Sequence, residues 1–141
     1  FDYFEKNGIK KFALLADNSG FGQSAVEQTK LLSQNRNFEI IYESFSPGDT
    51  DLTPQLSKIK SAGVDAVLAW TVTPAGVVFI KQADQLGFDN IMLAHGYGFV
   101  DQRYMNLAGE SVKDLVLVSV KFPVSDDIPD TDPIIEQVQE L

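Results

Sequence analysis

The sequence contains no cysteine, one histidine and one tryptophan. The absence of cysteine excludes disulfide bonds and thiolate metal sites, although it does not fix the compartment. Basic residues are scarce, since 11 lysines and arginines face 20 aspartates and glutamates, which leaves a formal net charge of −9. A chain this acidic repels phosphate backbones, so we expect no nucleic-acid partner. The longest apolar run, 115–120, is far shorter than the roughly 18 residues that span a membrane.

The length of 141 residues fits one domain. The residues before Gly8 have the pattern of the last turns of a helix, and a helix that short is not stable alone. A further helix is predicted to open at Asp132-Pro133. We therefore expect the natural protein to extend beyond this chain. The four aspartates within 126–132 are interpreted as a solvated loop, with a calcium site as the alternative that lacks the required glycine and terminal glutamate.

Apolar and β-branched runs alternate with helical patterns along the chain. The predicted strands span residues 12–16, 38–45, 66–70, 91–94 and 115–120. The first predicted helix spans residues 22–34 and the last runs from about residue 100 to 108. Between them, one helix is predicted from a cap at Asp51 or Thr53 to Gly63. Another is predicted from a cap at Thr73 to Gly87.

This alternation predicts an α/β fold, a doubly wound parallel sheet in a three-layer αβα arrangement with right-handed crossovers. The expected strand order is 2-1-3-4-5. In such sheets ligands bind beyond the carboxyl ends of the strands, at the point where the strand order reverses. Residues 17–23 and 70–73 line that point, and residues 95–98 lie beside it. These three loops are where functional residues are expected.

The first loop carries two glycines before a helix, a pattern that can hold phosphate. It lacks the Lys-Ser/Thr of a Walker loop and the third glycine of a dinucleotide fingerprint, so phosphate binding is the weaker interpretation. Phe21, between Gly20 and Gly22, has little core to join and is predicted to form a flat apolar wall for a ligand. Plain turn and cap chemistry is the alternative. Asp17 is expected to form a local turn, and Ser19 is a candidate ligand contact.

The loop after the third strand begins at Trp70. Core packing and a ligand wall or hinge contact are both open interpretations of this side chain. Thr71 and Thr73 offer hydroxyl groups at a helix N-terminus, which also favours a ligand carboxylate. Capping alone would account for Thr73.

The loop after the fourth strand contains His95, Gly96 and Tyr97. A lone histidine without nearby carboxylates does not build a metal site. Ser19 lacks the Gly-x-Ser-x-Gly elbow that presents a nucleophile, so no catalytic pair with His95 is expected. His95 is interpreted as structural or as a hydrogen-bond partner of a ligand. Tyr97, between Gly96 and Gly98, is an aromatic residue in a flexible loop that can close over a ligand.

Five segments form a further pattern through their order and spacing. They are Lys-Lys-Phe-Ala-Leu-Leu-Ala-Asp (10–17), Gly-Phe-Gly-Gln (20–23), Pro-Gly-Asp-Thr-Asp (47–51), Leu-Ser-Lys-Ile-Lys-Ser-Ala-Gly-Val-Asp-Ala-Val (56–67) and Lys-Gln-Ala-Asp-Gln-Leu-Gly (81–87). In this order they resemble the second lobe of type I periplasmic binding proteins, in the branched-chain amino-acid-binding branch. The resemblance covers nearly all of the chain.

The resemblance implies that residues 1–141 form one ligand-binding lobe of a two-lobed, extracytoplasmic receptor. Such a receptor closes on an amino acid or related small molecule and delivers it to an ABC permease in the membrane. It implies neither a cofactor nor an enzymatic activity. Phe21 occupies the position of the aromatic residue that packs on the ligand in this family. The ligand-contacting loop after the third strand corresponds to Thr71–Thr73.

His95 departs from the family pattern, in which an acidic residue after the fourth strand meets the ligand ammonium. Neutral imidazole is a poorer partner for an ammonium group than a carboxylate, and protonated imidazole repels it. We therefore hypothesise a ligand that is a carboxylate without the usual α-ammonium, an amide or an aromatic acid.

Two other functions remain open at this stage. The same fold serves as a ligand-sensing module of a regulator or receptor, which a DNA-binding or signalling domain elsewhere would favour. A flavodoxin-like enzyme domain would instead bind a nucleotide or flavin at the first loop.

Overall fold

The computed structural model of the protein describes residues 1–96, 102–111 and 115–118. Its elements are α1 (Asp2–Lys6), β1 (Lys11–Asp17), α2 (Gly20–Leu32), β2 (Glu39–Phe45), α3 (Thr53–Ser61), β3 (Ala66–Trp70), α4 (Ala75–Gln85), β4 (Met92–His95), α5 (Gln102–Ala108), a 3-10 turn (Gly109–Ser111) and β5 (Val116–Leu117). The predictions for Tyr97, for the end of the fifth strand, for the aspartate-rich loop and for the helix from Asp132 lie outside the described residues.

All five strands form one parallel sheet. β1 pairs with β2 and β3, β3 pairs with β4, and β4 pairs with β5, which gives the order β2-β1-β3-β4-β5. The α/β fold and the predicted strand order are therefore confirmed. Ala16 lies beside Trp70, and Ala69 lies beside His95. This register brings the carboxyl ends of β1, β3 and β4 to one edge of the sheet.

The sheet has an apolar core on each face, because successive side chains of a strand point to opposite sides. On one face Ala13, Leu15 and Val67 pack with the apolar sides of α3 and α4. On the other face Phe12 and Leu14 pack with residues of α1 and α2. β1 is consequently buried on both faces, as its continuous apolar run predicts.

The helix starts differ from the predictions. α2 begins at Gly20 rather than at residue 22, because Ser19 is its N-cap and accepts a hydrogen bond from the Gly22 N–H. α4 begins at Ala75 with Pro74 at the N-cap position and without a side-chain cap, so the predicted cap at Thr73 is wrong. The predicted end of this helix at Gly87 is confirmed. Gly87 follows α4 with φ of 71°, a conformation that glycine adopts at little cost.

The start of α3 shows a related difference. Leu52 occupies the N-cap position without a side-chain cap, so the predicted cap at Asp51 or Thr53 is wrong. The Asp51 carboxylate nevertheless accepts the Thr53 N–H at 2.9 Å, from one residue further out. These hydrogen bonds from Thr53 hold the pKa of Asp51 below its usual value.

The amino ends of the central strands are joined through Asp65. Its carboxylate accepts the N–H groups of Lys10 and Lys11 at 3.0 and 2.9 Å, and its carbonyl accepts the N–H of Met92 at 3.0 Å. The hydrogen bonds from Lys10 and Lys11 lower the pKa of Asp65. These contacts set the stagger of β1, β3 and β4, and so help to align their opposite, carboxyl ends.

The face of the sheet that carries α1 and α2 is partly open within the described residues. A groove of about 650 Å³ runs between these helices and strands β3 to β5, and it is mainly apolar. Its lining includes Phe4, Ala25, Leu32, Leu68, Trp70 and Val118. In the described part of the chain, no helix combines the length and apolar character needed to cross a bilayer.

Candidate ligand-binding site

The first loop is folded around the carboxylate of Asp17. This side chain is buried, and its Oδ1 accepts the Ser19 N–H at 3.0 Å as well as the Ser19 hydroxyl. The Asn18 N–H donates to the Phe45 carbonyl at 2.8 Å, which ties the loop to the end of β2. Asp17 therefore forms the local turn that the sequence predicts.

Gly22 allows α2 to start directly against the end of β1. A Cβ atom at this position would lie 1.8 Å from the carbonyl oxygen of Asp17, which no side chain tolerates. The second glycine of the loop is therefore needed for close approach of two backbones. It also brings the first turn of α2, with Phe21, over the carboxyl edge of the sheet.

The N–H groups at the start of α2 are partly occupied. Those of Ser19, Gly22 and Gln23 bond to Asp17 or to Ser19 itself. A phosphate cradle needs such groups to point outward, and a carboxylate already stands at this place. The arrangement favours a capped turn over phosphate binding.

Phe21 and Trp70 come together across the switch point. Their ring centroids lie 5.8 Å apart with an interplanar angle of 22°, a stacked arrangement. Phe21 remains 36% exposed, while Trp70 is half-buried and packs against the core on the α1–α2 face. The core-packing interpretation of Trp70 is therefore confirmed, while its role as a ligand wall stays a prediction.

The hydroxyl groups of Thr71 and Thr73 bond to each other. Their Oγ1 atoms lie 2.8 Å apart, and the Thr73 N–H donates to Thr71 Oγ1 at 3.2 Å. Thr71 is buried, whereas Val72 between them is 47% exposed at the same sheet edge. Val72 was not predicted as a separate candidate, although an apolar residue between two polar ones in a loop was a usable signal.

His95 lies on the opposite face of the sheet from the aromatic pair. Its ring is 1% exposed and lies 6.2 Å from the ring of Phe79 in α4. Its Nδ1–H donates to the Gly96 carbonyl at 3.0 Å. Burial lowers the pKa of His95 to about 4, against the opposing effect of this hydrogen bond. The imidazole is therefore neutral near pH 7 and supports the backbone of the loop.

Gly96, the residue that follows the fourth strand, packs against the ring of Trp70. A Cβ atom on Gly96 would lie 2.7 Å from Cε3 of Trp70 and 2.9 Å from Cδ2. Three of the candidate residues, Phe21, Trp70 and Gly96, are thus in one place. Among the described residues, no group of three histidines, cysteines, aspartates or glutamates could hold a metal ion.

Comparison with known proteins gives a family. The sequence profile described as "Periplasmic binding protein" matches residues 1–140. A Leu/Ile/Val-binding protein homolog 1 of Brucella suis biovar 1 is 30% identical over 115 residues, which are 80% of this chain and 30% of that protein. A leucine-, isoleucine-, valine-, threonine- and alanine-binding protein of Pseudomonas aeruginosa is 28% identical over 86 residues, 60% of this chain and 23% of that protein.

Solved structures share the fold. An extracellular ligand-binding receptor from Rhodopseudomonas palustris HaA2 matches with a TM-score of 0.83 at 20% identity, over 92% of this chain and 36% of that one. A leucine-binding protein from Thermotoga maritima matches with a TM-score of 0.72 at 23% identity, over 97% of this chain and 39% of that one. The chain spans about 30% of the length of the Brucella suis relative.

Proposed function

We propose a function from one premise: the chain belongs to the periplasmic binding protein family. Residues 1–141 form a ligand-binding lobe of an extracytoplasmic solute-binding protein that serves an ABC permease. The ligand is an amino acid or a related small carboxylate or amide. Branched-chain amino acids are the first candidates, because curated relatives are named for binding leucine, isoleucine and valine.

The stacked pair of Phe21 and Trp70 is the observation that carries this proposal. It stands beyond the carboxyl ends of β1 and β3, where doubly wound sheets bind ligands. A half-exposed aromatic surface offers apolar contact without using a titratable group. It suits the apolar side chain of an amino acid, and Val72 adds a second exposed apolar group at this edge.

Binding proceeds by closure of two lobes around the ligand. A ligand held between lobes favours the closed state through contacts that the open state lacks. In this lobe, Ser19 and Thr71 shape the loops through their hydrogen bonds, while Phe21, Trp70 and Thr73 face the ligand. Residues outside this chain supply the remaining contacts, so this lobe alone binds weakly.

The buried position of His95 determines how this residue can act on a ligand ammonium group. A buried, neutral imidazole on the α4 face does not repel a ligand ammonium group and is not exposed to pair with one. Repulsion by a protonated ring is therefore not an argument against an α-ammonium, but residue 95 still offers no carboxylate to pair with one. The hypothesis of a ligand without an α-ammonium stays a prediction, and aromatic acids and amides stay within the proposed class. We assign the chain no enzymatic role, since its candidate residues bind and orient rather than transfer protons.

Calorimetric titration of the full-length protein with L-leucine tests the role of Phe21. Phe21→Ala removes the exposed half of the stacked pair and is expected to weaken binding about tenfold, which corresponds to about 1.4 kcal/mol. Tyr42→Ala is the matched control, because Tyr42 is 37% exposed like Phe21 but lies in the middle of β2, opposite Leu14, and not at the carboxyl edge. Equal affinity of the parent protein and Phe21→Ala would contradict the proposed site.

A further inference from the structure

Gly96 has a backbone that is held from two sides. Its N–H donates to the Ala69 carbonyl at 2.8 Å, which extends the pairing of β3 with β4 by one residue. Its carbonyl accepts the Nδ1–H of His95 at 3.0 Å. His95 is in turn fixed, since its own carbonyl accepts the Val118 N–H at 3.0 Å and its ring is buried. The peptide at Gly96 therefore has little freedom to move.

The absence of a side chain at Gly96 creates the space that Trp70 fills. A Cβ atom here would lie 2.7, 2.9 and 3.1 Å from three atoms of the Trp70 ring. The φ angle of Gly96 lies outside the left-handed region, so its backbone conformation does not require glycine. Space for the indole ring is what distinguishes glycine from alanine at this position.

The ring of Trp70 in turn supports Phe21. The stacked rings lie 5.8 Å apart, and Phe21 is carried by the first turn of α2, which Gly22 locks against the end of β1. A shift of the indole ring changes the surface that the pair exposes, because α2 fixes the Phe21 backbone and the Phe21 ring can follow only by changing its rotamer.

We propose that Gly96 is a positioning residue that sets the ring of Trp70, and through it the aromatic surface on which the ligand rests. This inference rests on the proposed function and deepens it. A Cβ atom at residue 96 displaces the indole ring rather than the peptide, because hydrogen bonds hold the peptide on both sides. Binding sites tolerate displacements of only about half an ångström, so one methyl group is enough to change affinity.

Gly96→Ala in the full-length protein tests the proposal, with Gly48→Ala as the matched control. A Cβ atom on Gly48 meets no atom within 4 Å, and its φ is also outside the left-handed region. The fluorescence of Trp70 is taken as the difference from Trp70→Val. We expect Gly96→Ala to shift this emission and to weaken L-leucine binding about tenfold, while Gly48→Ala changes neither.

A double variant shows whether the effect passes through the indole ring. Trp70→Val removes all three ring atoms that crowd the new methyl group. The loss of melting temperature caused by Gly96→Ala should therefore disappear in the Trp70→Val background. The same loss in both backgrounds, or an unchanged Trp70 emission in Gly96→Ala, would overturn the proposal. Should Gly96→Ala not fold, folding of the double variant supports the proposal and its failure to fold contradicts it.

Different results would contradict the proposed function and the positioning role of Gly96. A parent protein that binds no branched-chain amino acid or related acid contradicts the proposed function. The coupling between Gly96 and Trp70 in melting temperature and emission still decides the positioning claim. A shifted Trp70 emission with unchanged L-leucine affinity contradicts the link from the ring to the ligand.

Discussion

His95 contributes to stability only while its imidazole is neutral. The ring is buried beside Phe79, and burial lowers its pKa from 6.5 to about 4. The unfolded chain therefore binds more protons than the folded protein between these two pH values. The contribution is fully present above pH 6.5 and is lost as the pH falls toward 4.

Urea unfolding at several pH values measures this contribution. Between pH 4 and 6.5, the free energy of unfolding of the parent protein should rise by about 3 kcal/mol more than that of His95→Gln. The glutamine variant serves as the control, because its side-chain amide supplies a hydrogen-bond donor but does not titrate. Both proteins keep the same carboxylates, so their titration cancels in the comparison. Identical slopes for the two proteins would contradict a neutral, buried imidazole.

The sequence allowed us to predict which side chains are candidates for the site, but not which residues they contact. The sequence predicts Phe21 and Trp70 as candidate aromatic walls in two loops at the switch point. Their stacking was not predictable, because it follows from the register of β1 and β3. Gly96 was interpreted as a flexible neighbour of Tyr97, whereas it is a fixed point of close approach. Which face of the sheet receives His95 depends on the phase of β4, and a four-residue strand leaves that phase open.

At the scale of elements, the junction between β1 and α2 depends on a close approach of two backbones at Gly22. The Gly22→Ala variant places a methyl group 1.8 Å from a backbone oxygen in a regular strand, so a backbone must move. We expect a loss of at least about 2 kcal/mol in the free energy of unfolding.

Gly20→Ala is the control for this junction. Gly20 belongs to the same turn of α2, and a Cβ atom there meets nothing within 4 Å. Its effect should stay within about 1 kcal/mol, since alanine is the better helix former. Equal unfolding free energies for the two variants would show that α2 does not depend on this close approach.

Elements themselves followed from the sequence where one physical rule dominates. The continuous apolar run of β1 and the glycines that stop α3 and α4 predict strand and helix ends within one or two residues. Helix starts were harder, because Ser19, Asp51 and Pro74 compete with neighbours for the same N-terminal position. The choice depends on tertiary contacts, such as the bond from the Gln82 side chain to Asp51.

For the whole molecule, alternation of strands and helices was enough to predict the sheet order β2-β1-β3-β4-β5. That order places three loops at one edge, and the structure brings residues of all three together at Trp70. Under the proposed function, a ligand between two lobes is recognised by both, so residues 1–141 would carry only part of its specificity. The chain covers about 30% of the Brucella suis relative's length.

Thermal unfolding of the full-length protein with a panel of ligands tests the central claim most directly. The panel contains L-leucine, L-isoleucine, L-valine, aromatic acids, amides, nucleotides and flavin. A ligand at about 100 times its Kd adds about 2.7 kcal/mol of stability. We expect a raised melting temperature with one of the amino acids or related small acids and amides. Stabilisation by nucleotides or flavin alone would contradict it.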